Sequence, residues 1–168
     1  MDGTITSKRL VLRPFVEDDK KAVIAMLTNG EIKKTYMIPD LPTEEEQNAM
    51  FARFLKISRS GERFFLAITL GGKPVGWINE VARDGDSIEL GYVVDPEYKG
   101  NGFATEALTA SIGKMFEKGY KKVIAGAFEE NAASMRVMEK SGMTRTGGTE
   151  TIEYRGTQRN CIMYAIEK

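Results

Sequence analysis

The sequence predicts one α/β domain over residues 1–168, with helices packed on both faces of a single sheet. Two patterns point there. Three β-like runs follow one another through tight glycine turns, and apolar residues recur at helical spacing in four other stretches. In order, the elements read β-α-α-β-β-β-α-β-α-β-β, with no repeat, linker or low-complexity segment between them. At 168 residues the chain is long enough to bury most of its apolar surface in one core.

Each element has its own signal. Residues 8–14 alternate charge with aliphatics and then meet Pro14, as a strand that stops sharply would. Asp18 or Asp19 can cap a helix reaching to about Asn29, with Ala22, Val23, Met26 and Leu27 on one face. Pro39 and Pro42 break the chain. Thr43 followed by Glu46 has capping-box spacing for a second helix, whose apolar positions Met50, Phe51, Phe54, Leu55 and Ile57 run towards Gly61. Residues 64–70, 74–81 and 87–94 form an antiparallel meander turned by Gly71-Gly72 and Asp84-Gly85. A helix follows through Ala104, Ala107, Leu108, Ser111, Ile112, Met115 and Phe116, ending at Lys118-Gly119. Residues 123–128 are β-like, 131–142 helical, and 161–167 a last strand.

Composition excludes several classes of function. Lys plus Arg and Asp plus Glu balance at 24 each, so no long-range field draws the chain to nucleic acid or an anionic membrane, and neither partner is expected. There is no histidine, which removes Ser-His-Asp and Cys-His catalysis and the usual zinc and non-haem iron sites; no metal is expected. Proton transfer is left to Glu, Asp, Lys, Tyr or water. The single cysteine, Cys161, excludes an intrachain disulfide and sits in an apolar run that reads as a buried strand, hence a core thiol. No apolar run approaches the roughly 20 residues that cross a bilayer, and the start lacks a signal-peptide stretch, so a cytoplasmic location is expected.

The chemistry concentrates in residues 88–107, a strand running through Gly100-Asn101-Gly102 into a helix. A helix's first turn carries unpaired N–H groups and partial positive charge, and glycines let a phosphate approach the backbone. A phosphorylated ligand follows. The loop lacks the Gly-Lys-Ser or Gly-Lys-Thr of a Walker A site. It also has Thr105 where a dinucleotide fingerprint needs its third glycine, and it follows a meander instead of opening an early β-α-β unit.

Lys99, Gly102 and Ala104 fill the frame Gln or Arg, two residues, Gly, one residue, Gly or Ala. Together with Arg9-Leu10-Val11-Leu12-Arg13, Asn131-Ala132-Ala133-Ser134 and Glu139-Lys140-Ser141-Gly142-Met143, this resembles the GNAT superfamily of acyl-CoA-dependent N-acyltransferases over nearly the whole chain. It is most similar to the branch holding the RimJ/RimL-like ribosomal-protein alanine and serine N-terminal acetyltransferases, which also contains enzymes of small amines and antibiotics. Lysine at the frame's first position implies a looser, point-charge contact with the pyrophosphate.

The resemblance implies a mixed, mostly antiparallel sheet of about seven strands, splayed between the fourth and fifth, with acetyl-CoA as cosubstrate. The implied cofactor residues are Tyr92, Val93 and Val94 on the strand, Lys99, Gly100, Asn101, Gly102, Phe103, Ala104 and Thr105 in the loop and helix start, and Asn131. A backbone N–H of the strand would hold the thioester oxygen. Glu89 is implied as general base through a water, although a solvated strand glutamate reads equally well, and Ser134 as proton donor to the leaving thiolate. Asn131 also sits where a helix N-cap belongs. The acceptor is expected to be a protein or peptide N-terminal amine; a small-molecule amine, or a non-catalytic acetyl-CoA-binding module, are the alternatives. Acceptor selectivity is expected from residues 30–42 and the loop 147–160, where Glu150, Glu153 and Asp40 attract a cationic amine or remain solvated carboxylates. Both monomer and homodimer are compatible.

Overall fold

The computed structural model describes residues 3–168. Among these residues, eight strands form one sheet in the order β1-β2-β3-β4-β5-β6-β8-β7. They are β1 (Ile5–Thr6), β2 (Val11–Arg13), β3 (Phe65–Leu70), β4 (Lys73–Asp84), β5 (Ser87–Val94), β6 (Lys122–Phe128), β7 (Thr144–Tyr154) and β8 (Thr157–Glu167). Every pairing is antiparallel except β5 with β6. Five helices accompany them among the described residues: α1 (Lys20–Leu27), α2 (Gly30–Thr35), α3 (Glu44–Ser60), α4 (Phe103–Glu117) and α5 (Ala132–Lys140).

Alternation along the central strands divides the core in two. Ile78, Ile88, Leu90 and Val123 face α4 and α5, packing on Ala107, Leu108, Ile112, Met115 and Met138. Trp77 and Val93 point the other way, against Val23, Met26 and Leu27 of α1 and Phe51 and Leu55 of α3. Helices therefore cover both faces, as the sequence predicts. The eighth strand beyond the expected seven is β1, two residues folded back on β2, too short to leave a periodic pattern.

Three local expectations are corrected. Asp19 does not cap α1; its buried carboxylate takes Arg13 Nη1 at 2.8 Å and Nη2 at 3.0 Å and accepts from the Val16 amide at 2.9 Å. The short helix α2, capped by Asn29 Oδ1, lies in the stretch 30–42 and adds a third helix to the two expected before the meander. Residues 147–160, expected as a loop, form the greater part of the β7–β8 hairpin. Nearly all of β7 is exposed, so neither face carries the apolar alternation by which a strand is recognised.

What positions the site is the divergence of β5 from β6. Their parallel pairing covers Ser87, Ile88 and Glu89 against Lys122, Val123 and Ile124 and then ceases, while β5 stays paired to β4 and β6 to β8. This is the splay expected between the meander's last strand and the strand after α4. Two features shape β5 locally. A bulge at Val81 shifts the β4–β5 register between Glu80 and Ala82. Gly76 lets β4 approach so closely that a Cβ there would stand 2.0 Å from the Val93 carbonyl oxygen.

Candidate functional site

A cleft of about 880 Å³ opens where β5 and β6 part. One end is the start of α4. Gly100 and Gly102 have φ of +78° and +76°, and Gly102 is the helix cap without a side chain to satisfy the first turn. The first helical bond runs from the Glu106 amide to the Gly102 carbonyl, so the amides of Phe103, Ala104 and Thr105 precede the ladder. The fifteen-residue helix thus turns an N-terminus with unpaired amides and partial positive charge towards the cleft, a setting that favours an anion.

Most sequence-predicted residues converge on this cleft. Glu89, Tyr92, Val93, Val94, Lys99, Gly100, Gly102, Phe103, Ala104, Thr105, Asn131 and Ser134 all line it. Asn101 does not: its amide turns back into the loop, donating to the Tyr98 and Lys99 carbonyls at 3.0 and 3.2 Å. Asn131 caps α5 through Oδ1, which accepts from the Ser134 amide at 3.2 Å.

The middle of the cleft holds a pair of hydroxyls. Tyr92 Oη lies 2.7 Å from Ser134 Oγ and also donates to the Ser134 carbonyl at 3.1 Å. Burial pushes the Tyr92 phenol up to about 12, with the Ser134 bond acting against it, so the phenol stays protonated at neutral pH. The resemblance implies a role for the strand backbone at Tyr92; the contact of its hydroxyl with Ser134, forty-two residues on, is seen only in the structure.

At the far end stand two carboxylates. Glu89 is half-buried, and its carboxyl is pushed up first by burial and then by the charge of Glu150 on β7. Cys161, expected as a core thiol, is buried but lines this part of the cleft; burial, then Glu150, Glu89 and Glu130, push it up, which opposes nucleophilic use. Glu150 borders the cleft and Glu153 does not. Asp40 is occupied, bonded by Arg155 Nη1 at 3.1 Å and Lys33 Nζ at 3.3 Å.

The wall opposite is α2 and its exit, pinned by the β7–β8 hairpin. Tyr154 Oη donates to the Lys33 carbonyl at 2.6 Å and accepts from the Ile38 amide at 3.4 Å, and Arg159 Nη1 reaches the Lys34 carbonyl at 2.6 Å. This wall presents Tyr36, whose hydroxyl donates to Asn79 Oδ1 at 2.7 Å and whose ring meets Trp77 edge-on. Sequence reasoning missed Tyr36 and Tyr154, because neither lies in a periodic stretch and their contacts span more than forty residues.

Among the described residues no cluster of three or more His, Cys, Asp or Glu is placed to hold a metal, and no helix is long and apolar enough to cross a membrane.

Comparison with known proteins adds to this geometry. Residues 9–144 match the acetyltransferase (GNAT) domain family model. The chain is 32% identical over 145 residues to the uncharacterized N-acetyltransferase YnaD of Bacillus subtilis (strain 168), covering 85% of this chain and 84% of that one. Among solved structures, an acetyltransferase (GNAT family) from Bacillus anthracis superposes with a TM-score of 0.83 at 29% identity, over 98% of both chains. The ribosomal alpha-N-protein acetyltransferase RimL, in complex with coenzyme A, shares the fold with a TM-score of 0.82 at 21% identity, over 98% of this chain and 97% of that one.

Proposed function

Since this chain belongs to the GNAT family and is an N-acetyltransferase, we propose that it moves the acetyl group of acetyl-CoA directly onto a primary amine in a ternary complex, the acceptor being a protein or peptide N-terminal amine. The observation carrying the donor assignment is the join of two features in one cleft. The first turn of α4 offers unpaired amides to a pyrophosphate, and the parted β5 offers backbone groups to an extended pantetheine arm, as an added strand would take them.

The reaction then runs along β5. A backbone N–H within Tyr92–Val94 receives the thioester oxygen as the amine attacks, stabilising the tetrahedral intermediate. Glu89 takes the ammonium proton through a water, its raised pKa making it a better base than an ordinary carboxylate. Ser134 gives its proton to the departing thiolate while the neutral Tyr92 phenol, 2.7 Å away, stabilises the serine oxygen, and the second proton that the attacking nitrogen sheds as the intermediate collapses returns to Ser134. Because a thiolate is a fair leaving group, Ser134→Ala is expected to slow turnover only modestly. An N-terminal α-amine is mostly neutral near pH 8 and needs little from Glu89, whereas an alkylamine needs it fully. The adjacent Glu89 and Glu150 favour a second reading, a small cationic amine.

The test begins with melting temperature. Acetyl-CoA at about 100 times its dissociation constant is expected to add about 2.7 kcal/mol, roughly 5–10 °C for a chain of this size. Gly102→Asp, which places a carboxylate at the anion site, is expected to abolish the shift. Absence of any shift in the wild type at millimolar acetyl-CoA would remove the donor assignment. An acceptor panel of peptides with free Ala or Ser N-termini, polyamines and amino sugars then separates the two readings by kcat/KM.

A further inference from the structure

Behind the phosphate loop, outside the cleft, the turn between β1 and β2 grips the start of α4. Ser7 Oγ and the Arg9 amide both donate to Glu106 Oε1 at 2.6 Å, and Arg9 Nε donates to Glu106 Oε2 at 2.7 Å. The same guanidinium reaches forward with Nη1 to the Asn101 carbonyl at 2.7 Å and lies 4.6 Å above the Phe103 ring. One side chain thus ties together the loop, the first helical residue and a carboxylate in the first turn. None of these bonds caps the helix: the cap position is Gly102, which has no side chain, and Glu106 accepts from the β1–β2 turn and not from the first-turn amides.

The arrangement bears instead on the anion. A carboxylate in a first turn suits the helix dipole, yet it repels any phosphate bound at the same terminus. Nothing on the cleft side compensates Glu106 as closely as Arg9 does. We infer that Arg9 is a positioning residue for the acyl-CoA diphosphate: it fixes the Gly100–Gly102 backbone against α4 and cancels the Glu106 charge that would otherwise oppose the ligand. This rests on the donor assignment proposed above. The planar fork is what lets one residue bridge Asn101 and Glu106, so lysine is not an equivalent.

The test compares coenzyme A with pantetheine, which keeps the arm and lacks the diphosphate, by calorimetric and NMR titration. Arg9→Met is expected to weaken coenzyme A about tenfold while leaving pantetheine unchanged. Adding Glu106→Gln to Arg9→Met is expected to recover most of that loss, since the uncompensated charge is then gone. If Arg9→Met does not fold, Arg9→Lys serves in its place, with a smaller loss confined to coenzyme A. Unchanged coenzyme A affinity, an equal loss on both ligands, or a double variant no better than the single overturns the inference. A wild type that binds no coenzyme A at millimolar concentration sinks the donor assignment itself, a result visible before any Arg9 variant is made.

Discussion

Glu89 and Glu150 belong to strands separated by two others in the sheet, yet both line the cleft and the charge of Glu150 reaches Glu89. Their coupling sets a pH dependence. A base whose pKa is raised loses its charge at higher pH than an ordinary carboxylate, so kcat/KM for an alkylamine is expected to fall on acidification from above the usual carboxylate range. Glu150→Gln removes the repelling charge and is expected to move that acid limb down; Glu89→Gln is expected to remove it. A limb that stays in place in both variants assigns the base elsewhere. Gly76 makes a second residue-scale prediction. With only 2.0 Å between an added Cβ and the Val93 carbonyl oxygen, Gly76→Ala is expected to cost about 2–3 kcal/mol in urea denaturation, because both contacting groups are backbone and neither can rotate away.

At the scale of elements, legibility followed chemistry that repeats locally. The capping box of α3 is present as its spacing announced, Thr43 Oγ1 accepting from the Glu46 amide at 3.2 Å and Glu46 Oε2 from the Thr43 amide at 3.1 Å. Thr43→Ala is expected to lower stability by about 1 kcal/mol. The glycines of the phosphate loop were legible for the same reason, since a backbone that must turn with positive φ beside a ligand selects glycine. Of the β7–β8 hairpin the sequence shows a closing pair of strands and residues 161–167, but not its extension through 147–160, whose solvent-facing residues carry no alternation and whose contacts reach α2 over a hundred residues earlier. Tyr154→Phe removes the hydroxyl that holds the carbonyl of Lys33. It is expected to raise the acceptor KM while leaving the affinity for acetyl-CoA unchanged; equal effects on both would mean the hairpin supports the fold at large and not the acceptor wall.

For the molecule as a whole, the layered α/β architecture followed from element order, whereas the parting of the sheet is a matter of backbone direction that no residue pattern encodes on its own; it entered the reading through family resemblance. The grip of the β1–β2 turn on α4 makes part of the fold's stability depend on pH through Glu106. Burial alone would push the Glu106 carboxyl up, but the bonds from Ser7 and Arg9 bring it from its ordinary value near 4.5 to about 2. Folding therefore lowers this pKa, and the resulting stability is complete above the ordinary value and lost as pH falls through about 2. In the Glu106→Gln variant the acid melting curve is expected to flatten between those limits. The divergence of β5 from β6 has a further consequence. Beyond Glu89 and Ile124 it leaves two strand edges that no longer pair with each other, with backbone groups available to something extended. A gap bounded by two such edges has the shape that any extended chain fills, so the arm of the donor and a β-strand would be rival occupants of the same place.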